Sequence, residues 1–552
     1  MQPSRVPLED ILAKYDWITT FTHPPDVASL LRTNEAPSPL QSALLNASLA
    51  DLTTPLTELQ SDLNLLRNAV VSLETQMSCV QSLKHDYETA LSPIRHLPME
   101  VLAGILCCSW KDDDRVTYDL GDGPWSLGQV CRSWRNAIES FCPGLWATLD
   151  IGCNDLDGAK RPMKGDPVEI LRVVLERSRN HPLDFHLWVT DKATERCLDL
   201  LITHSKRWSG VTLGIPSSLL PRLSAIRGRI DLLRRVDLDC FPSGSLSEDS
   251  DIWAFEIAPK LENLRMSCLP PDVNIPFPAT NLVSFFDARP FAGDRLLPKY
   301  FDIVKAAPGL RSFSYIDCGV NLMSTSPLLP CVTSLSIEKF WVSSPSCMRS
   351  MKLPSLTEVT LTTMYDDDLD TQHSGGDEFI KCPVDALGAL HQMLLQSQCS
   401  LYRLHLIDAV LDNNLANIIR LMPSLRRLVI ELNEWVEDYD PILDSLVAQM
   451  SEECLVDGAM QHCVVPSLQE LGIYLSNIDD AYISFIGSTF VDMVASRVRR
   501  PCEAPRLTKL CLSISGSGWI HDLDEVAENA LKSLEHNGLQ LTYNVYDADM
   551  SE

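Results

Sequence analysis

Apolar residues early in the chain recur with a helical period. Between Leu45 and Leu91 they fall at Leu45, Leu49, Leu52, Leu56, Leu59, Leu63, Leu66, Val70, Leu73, Met77, Val80, Tyr87 and Leu91. The steps alternate four and three without a slip, and only Lys84 interrupts them. A sustained 3.5-residue period makes an apolar seam for a supercoiling partner. Pro55 suits a first helical position, and Thr54 before it can cap. The main helix is therefore expected from about residue 55 to 91, on the order of 55 Å long at 1.5 Å per residue. A seam cannot bury itself. Its partner is either a second copy, through residues 45–91, or a following domain of the same chain, and both stay open here. Residues 1–40, with Pro24, Pro25, Pro37 and Pro39, read as a poorly ordered arm with one short helix around Leu8–Trp17.

After residue 150 the pattern changes to a recurring phrase, Pro-x-Leu-x-x-Leu-x-Leu. Strong copies span Pro259–Met266, Pro308–Tyr315, Pro330–Ile337, Pro354–Leu361, Pro423–Ile430, Pro466–Ile473 and Pro505–Leu512. Weaker ones start at Leu233, Leu282 and Leu401. Each phrase ends in a short alternating strand, and helical patterns such as Val384–Gln396 lie between. Residues Leu183–Leu187 and Val211–Leu213 read as earlier strands of the same kind. The spacing fits a repeat of about 20–29 residues with insertions. Stacked strand–loop–helix units bury the leucines in a solenoid with a parallel sheet.

Between these regions lies a compact helical signal. Pro98 is a helix-start residue in Leu97-Pro98-Met99-Glu100, and Glu100 complements the dipole of the first turn. Val101, Leu102, Ile105 and Leu106 follow as an apolar face. A polar loop, Lys111–Pro124, leads to a second short helix over Trp125–Ile138 whose apolar face includes Val130, Cys131 and Trp134. Pro143-Gly144-Leu145-Trp146 closes the unit.

Taken together, Leu97-Pro98-Met99-Glu100, Ile105-Leu106, Val130-Cys131-Arg132-Ser133-Trp134-Arg135 and Leu145-Trp146 resemble the F-box in order and residue type. The loop Lys111–Pro124 is longer than in the compact form of that motif. The resemblance covers about 55 residues, 92–147. It implies a module docking the Skp adaptor, and through it a cullin, with Leu97, Pro98, Val101, Leu102, Ile105, Leu106, Val130, Cys131 and Trp134 as adaptor-binding residues. The residues agree with that implication. Three short helices cannot bury so many apolar side chains, and the surplus must face a partner. The phrases after residue 150 look like the divergent leucine-rich repeats that often follow an F-box, although the Asn/Cys after the strand is mostly missing.

Composition narrows the function further. Apolar residues are 45% and charged residues 22% of the 552, enough to bury a core. The formal charge of −28, with scattered cations, disfavours a nucleic-acid surface. No signal peptide, membrane span or lipidation signature is legible, the longest uncharged stretch, Cys318–Ile337, being broken by Asn321, Pro327 and Pro330. The chain reads as intracellular, cytoplasmic and/or nuclear. Its 18 cysteines include no Cys-x-x-Cys pair. Cys240, Cys268, Cys318 and Cys511 sit in apolar segments as buried reduced thiols. Acidic runs at Asp366–Asp368 and Glu431–Asp440 read as solvated loops without metal-ligand spacing, the second able to edge the sheet and favour a basic partner. No catalytic, phosphate-loop or metal motif appears, and His462-Cys463 is a lone neighbour pair. Neither enzyme, metal nor cofactor is expected.

The expected architecture is thus α/β. It has an arm (1–40), a long heptad helix (41–91), a small helical F-box (92–147), an irregular leucine-rich-repeat solenoid with a parallel sheet (148–540) and an acidic tail (541–552). The expected function is substrate recognition for a Skp–cullin–F-box ubiquitin ligase, with an unknown target protein on the repeats. The alternative is a non-catalytic protein-binding scaffold with no ligase role.

Overall fold

The computed structural model describes residues 8–32, 36–110, 115–151, 166–241, 251–317, 329–363, 381–456, 459–500 and 505–547. It is a mixed α/β molecule of two units, Met1–Leu102 and Ala103–Glu552. Among the described residues no helix is long and apolar enough to cross a membrane.

In the first unit, α1 (Leu8–Ala13), α2 (Trp17–Thr20) and α3 (Pro25–Leu30) precede the long helix α4 (Pro39–Ala90). The arm thus holds three short helices where one was expected. Ser38 starts α4 with a capping box. Its side chain accepts from Gln41 N–H, the Gln41 side chain accepts from Ser38 N–H, and Pro39 occupies the first turn. Helix α4 runs 52 residues and passes straight through Pro55. That corrects the start expected at Thr54-Pro55. A complete cap lies sixteen residues upstream, and an exposed helix tolerates the one backbone bond a proline removes. The heptad seam survives the proline intact, and α4 buries no residue fully.

The second unit is built on a 14-stranded sheet in which each strand pairs with its neighbour in chain order. All its pairings are parallel. In-register pairing carries one ladder across every strand. It runs Leu149, Phe185, Val211, Val236, Leu264, Phe285, Phe313, Phe340, Val359, Leu404, Leu428, Leu471, Leu510 and Leu541. All but the last are buried. Phe285, Phe313 and Phe340 stack at 5.8 and 6.0 Å between centroids. The expected strands at Leu183–Leu187 and Val211–Leu213 belong to this sheet, and the helix expected at Val384–Gln396 spans Ala386–Ser397.

Two expectations for the sheet need correction. The phrase Pro330–Ile337 supplies no strand to it. Val332–Thr333 pairs only with Met351–Lys352, Leu335 stays 74% exposed, and the sheet strand is Lys339–Val342. Ile337, fully buried, takes the position three residues before Phe340 that Leu261 takes before Leu264. The second concerns the tail. Gln540–Asp547 forms the last strand, pairing with Lys509–Gly516. Only the final five residues of the expected acidic tail lie outside the described ones.

Two interior rungs carry charge, Asp287 on one and Arg289 opposite Asp317 on the other. Asp287 stands in register between Met266 and Tyr315, fully buried, and Arg289 two residues on is nearly so. Arg289 Nε donates to both Asp287 oxygens at 2.9 Å, and Nη1 donates to Val273 O at 2.6 Å. Tyr300 also donates to the carboxylate. Removing one partner of a buried pair strands the other charge. Asp287→Ala should therefore cost about 3–5 kcal/mol, read by denaturant unfolding of the full chain. A change below about 1 kcal/mol would mean the pair is solvated.

A buried histidine adds a pH dependence. Burial, with Arg497 and Arg500 nearby, pushes His462 from its usual 6.5 down to about 4. The folded chain keeps it neutral, while the unfolded chain protonates it below 6.5. Its contribution is therefore complete above pH 6.5 and lost as the pH falls towards 4. Unfolding midpoints of His462→Gln across that window should fall less steeply than those of the natural chain, and parallel slopes would refute the assignment.

Candidate functional site

The compact helical segment begins with α5 (Met99–Cys108), in which the two units meet between Leu102 and Ala103. Pro98 C=O accepts the N–H groups of Val101 and Leu102 at 3.1 and 3.0 Å, which opens the helix. The four residues read as one apolar face divide between two sides of it. Leu102 and Leu106 are buried, each 2% exposed, whereas Val101 and Ile105 are 49% and 46% exposed. Cys108 continues the outward stripe, Pro98 precedes it exposed, and Leu97 is half-buried.

Within the second unit, the expected single helix over Trp125–Ile138 is two. Helix α6 spans Gly123–Val130 and α7 spans Arg132–Phe141. Cys131 between them is extended, at φ −161° and ψ 171°, so the chain turns there. Arg135 Nε donates to Gly128 O at 2.9 Å and fixes the corner. The corner presents Val130, 60% exposed, and an exposed Cys131, with Trp134 half-buried behind. The inner side of α7, Ala137 and Ile138, is buried, and Cys142 Sγ after it donates to Ala103 O at 3.6 Å.

The long loop is anchored beyond Asp114, while Lys111–Asp114 lie outside the described residues. Val116 N–H donates to Thr148 O at 2.8 Å and its carbonyl accepts from Asp150 at 3.0 Å. Leu145 and Trp146 are buried. Trp146 packs edge-on against Trp125 at 4.7 Å, and the Arg177 guanidinium from α8 (Pro167–Arg177) lies over both rings. Arg177 also pairs with Glu139 at 2.6 Å. These contacts fix the inner side of α6 and α7 to the first helix after the opening strand. The apolar surplus is left outside.

The sheet face opposite the leucine ladder carries compensated charge. Asp184 pairs with Arg115 and Arg235, Glu358 with Lys339 and Arg403, and Glu470 with Arg427 and Lys509, at 2.6–3.7 Å. Such pairs add little stability individually, but they leave no single-sign field there. The acidic run Glu431–Asp440 is more structural than expected. Glu431 lies on a strand 3.6 Å from His405, Glu434 pairs with Lys381, and Asp440 accepts the N–H groups of Ser484 and Phe485 at 2.9 and 3.2 Å. Glu437 and Asp438 of the run stay exposed. Asp366–Asp368 lies outside the described residues.

Cys240 and Cys511 are buried as expected, and burial pushes the Cys240 thiol up to about 12; Cys268 is half-buried, and Cys318 lies outside the described residues. Among the described residues no cluster of His, Cys, Asp and Glu has the makings of a metal site. No protein-family model matches the chain, and no curated protein matches it.

Proposed function

We propose that the chain is the substrate-recognition subunit of a Skp–cullin–F-box type ubiquitin ligase. One observation carries the reading. In the segment whose residues follow the F-box order, the inner helix faces are already filled, yet Val101, Ile105, Val130 and Cys131 remain outside. An apolar surface of this kind on short helices is what an adaptor covers. In this reading Trp134 borders the contact and Leu106 supports it from within the second unit, and Leu97, Pro98, Val101 and Leu102 are the first unit's share of the proposed adaptor-binding residues.

The region after residue 147 is, in this proposal, a divergent leucine-rich-repeat solenoid that holds the target protein. Strand pairing in chain order and the continuous aliphatic and aromatic ladder support it. The chain itself then does no chemistry; transfer of ubiquitin belongs to the cullin-bound enzymes.

Co-purification of the full chain with a Skp adaptor and a cullin, followed by an assay for ubiquitin transfer to a co-captured protein, tests the reading. Ubiquitination that depends on the chain supports it. Adaptor binding without transfer to any captured target leaves a scaffold role instead.

A further inference from the structure

The long helix offers a second interaction surface, independent of the adaptor reading. Within the first unit its two halves differ. In the N-terminal half, Tyr15 donates to Asp62 at 2.7 Å and Lys14 pairs with Glu58 at 2.8 Å. Of the seam residues there, Leu45, Leu59 and Leu66 are half-buried, while Leu49, Leu52, Leu56 and Leu63 are exposed. From Val70 to Leu91 every residue is exposed. Leu73, Met77, Val80, Tyr87 and Leu91 are 57–75% exposed, a continuous apolar stripe with nothing of its own unit over it.

We infer that this C-terminal half of α4 pairs with the same stretch of a second copy in an antiparallel coiled coil. Lys84 and the flanking charges decide the orientation. Lys84 occupies a seam position. A parallel pair would set two Lys84 ammonium groups face to face, which costs stability. In the antiparallel pair centred between Met77 and Val80, Lys84 meets Leu73 of the second copy. Val70 then meets Tyr87 of the second copy, and the two Lys84 side chains stand about 16 Å apart along the axis. The same alignment brings the flanking Arg67 beside Glu88 of the second copy. The twofold axis repeats that ion pair, and Glu74 faces an uncharged Gln81. A parallel pair places Glu88 beside Leu83 and brings Arg67 only to Asp62 of the second copy, a carboxylate that Tyr15 and Lys14 of its own chain already occupy at 2.7 and 3.4 Å. The interface is isologous and closes on itself.

Sedimentation equilibrium of the full-length chain at micromolar concentration tests the proposal, with three variants. The natural chain should be a dimer. Glu88→Arg should weaken the dimer about tenfold, since two attractions become repulsions. Adding Arg67→Glu to it should restore most of the loss. Lys84→Cys should give no more oxidised dimer on a non-reducing gel than the natural chain does. A monomeric natural chain would overturn the proposal and leave the seam to the chain's own second unit. A Lys84→Cys cross-link, or a dimer indifferent to both charge changes, would overturn the antiparallel pairing. Adaptor binding is unaffected by any of these outcomes, so failure here leaves the proposed function standing.

Discussion

Leu428→Asp is expected to unfold the sheet unit at a temperature well below that of the natural chain. Leu428 is fully buried on the strand Arg427–Leu432, in register between Leu404 and Leu471. A carboxylate there has no cation to pair with inside the ladder, and the cost of burying it is on the order of 3–5 kcal/mol. Leu335→Asp is the matched control. Its residue occupies the same place in the repeated phrase, yet it is 74% exposed and belongs to no sheet strand. A surface change of that kind stays within about 0.5 kcal/mol. Thermal unfolding followed by circular dichroism separates the two. Equal losses would mean that the ladder is placed in the wrong register.

Ile105→Asp is expected to leave the fold intact and to abolish most adaptor binding. The side chain points away from Leu102 and Leu106 and is nearly half exposed. If the adaptor covers it, a carboxylate there loses the burial of a large aliphatic group, about 2 kcal/mol or more. That is roughly a 30-fold rise in Kd. Leu106→Asp makes the complementary case: its loss of binding should come with a loss of helical structure, because Leu106 lies inside. Binding isotherms recorded beside circular dichroism spectra distinguish them. An Ile105→Asp chain that binds as tightly as the natural one would place the adaptor elsewhere.

The features legible in the sequence were those with a strong period. The heptads of α4 and the Pro-x-Leu phrases each repeat a hydrophobic spacing, and spacing fixes which side chains share a face. Features governed by single backbone events were not legible. The start of α4 depends on Ser38 and Gln41 reaching one another, whereas Thr54-Pro55 offered the stronger local start signal. The corner at Cys131 breaks a stretch whose apolar spacing suits one helix. The phrase at Pro330 has the right letters, but the buried position goes to Ile337, seven residues after the proline. The last strand, Gln540–Asp547, lacks the proline that opens the seven strong copies of the phrase. Asp287 and Arg289 could not be found from pattern either, since a charged pair inside a ladder breaks the very rule that reveals the ladder.

For the candidate site, the sequence supplied the residues and the structure sorted them. Nine apolar side chains around Pro98 and Trp134 were read as one contact surface. Leu102 and Leu106 instead hold the helix in place, while Val101, Ile105, Val130 and Cys131 face outward. The local signal was the order of residues in each short helix. Which side of α5 is inner depends on residues outside it, such as Cys142, whose thiol reaches Ala103 O, and so could not be read from spacing within it.

The most direct measurement is calorimetric titration of the full-length chain with a purified Skp adaptor. A saturable complex of one adaptor per chain with a Kd at or below micromolar is expected, and Ile105→Asp should raise that Kd roughly 30-fold. No binding by a chain that circular dichroism shows to be folded would contradict it.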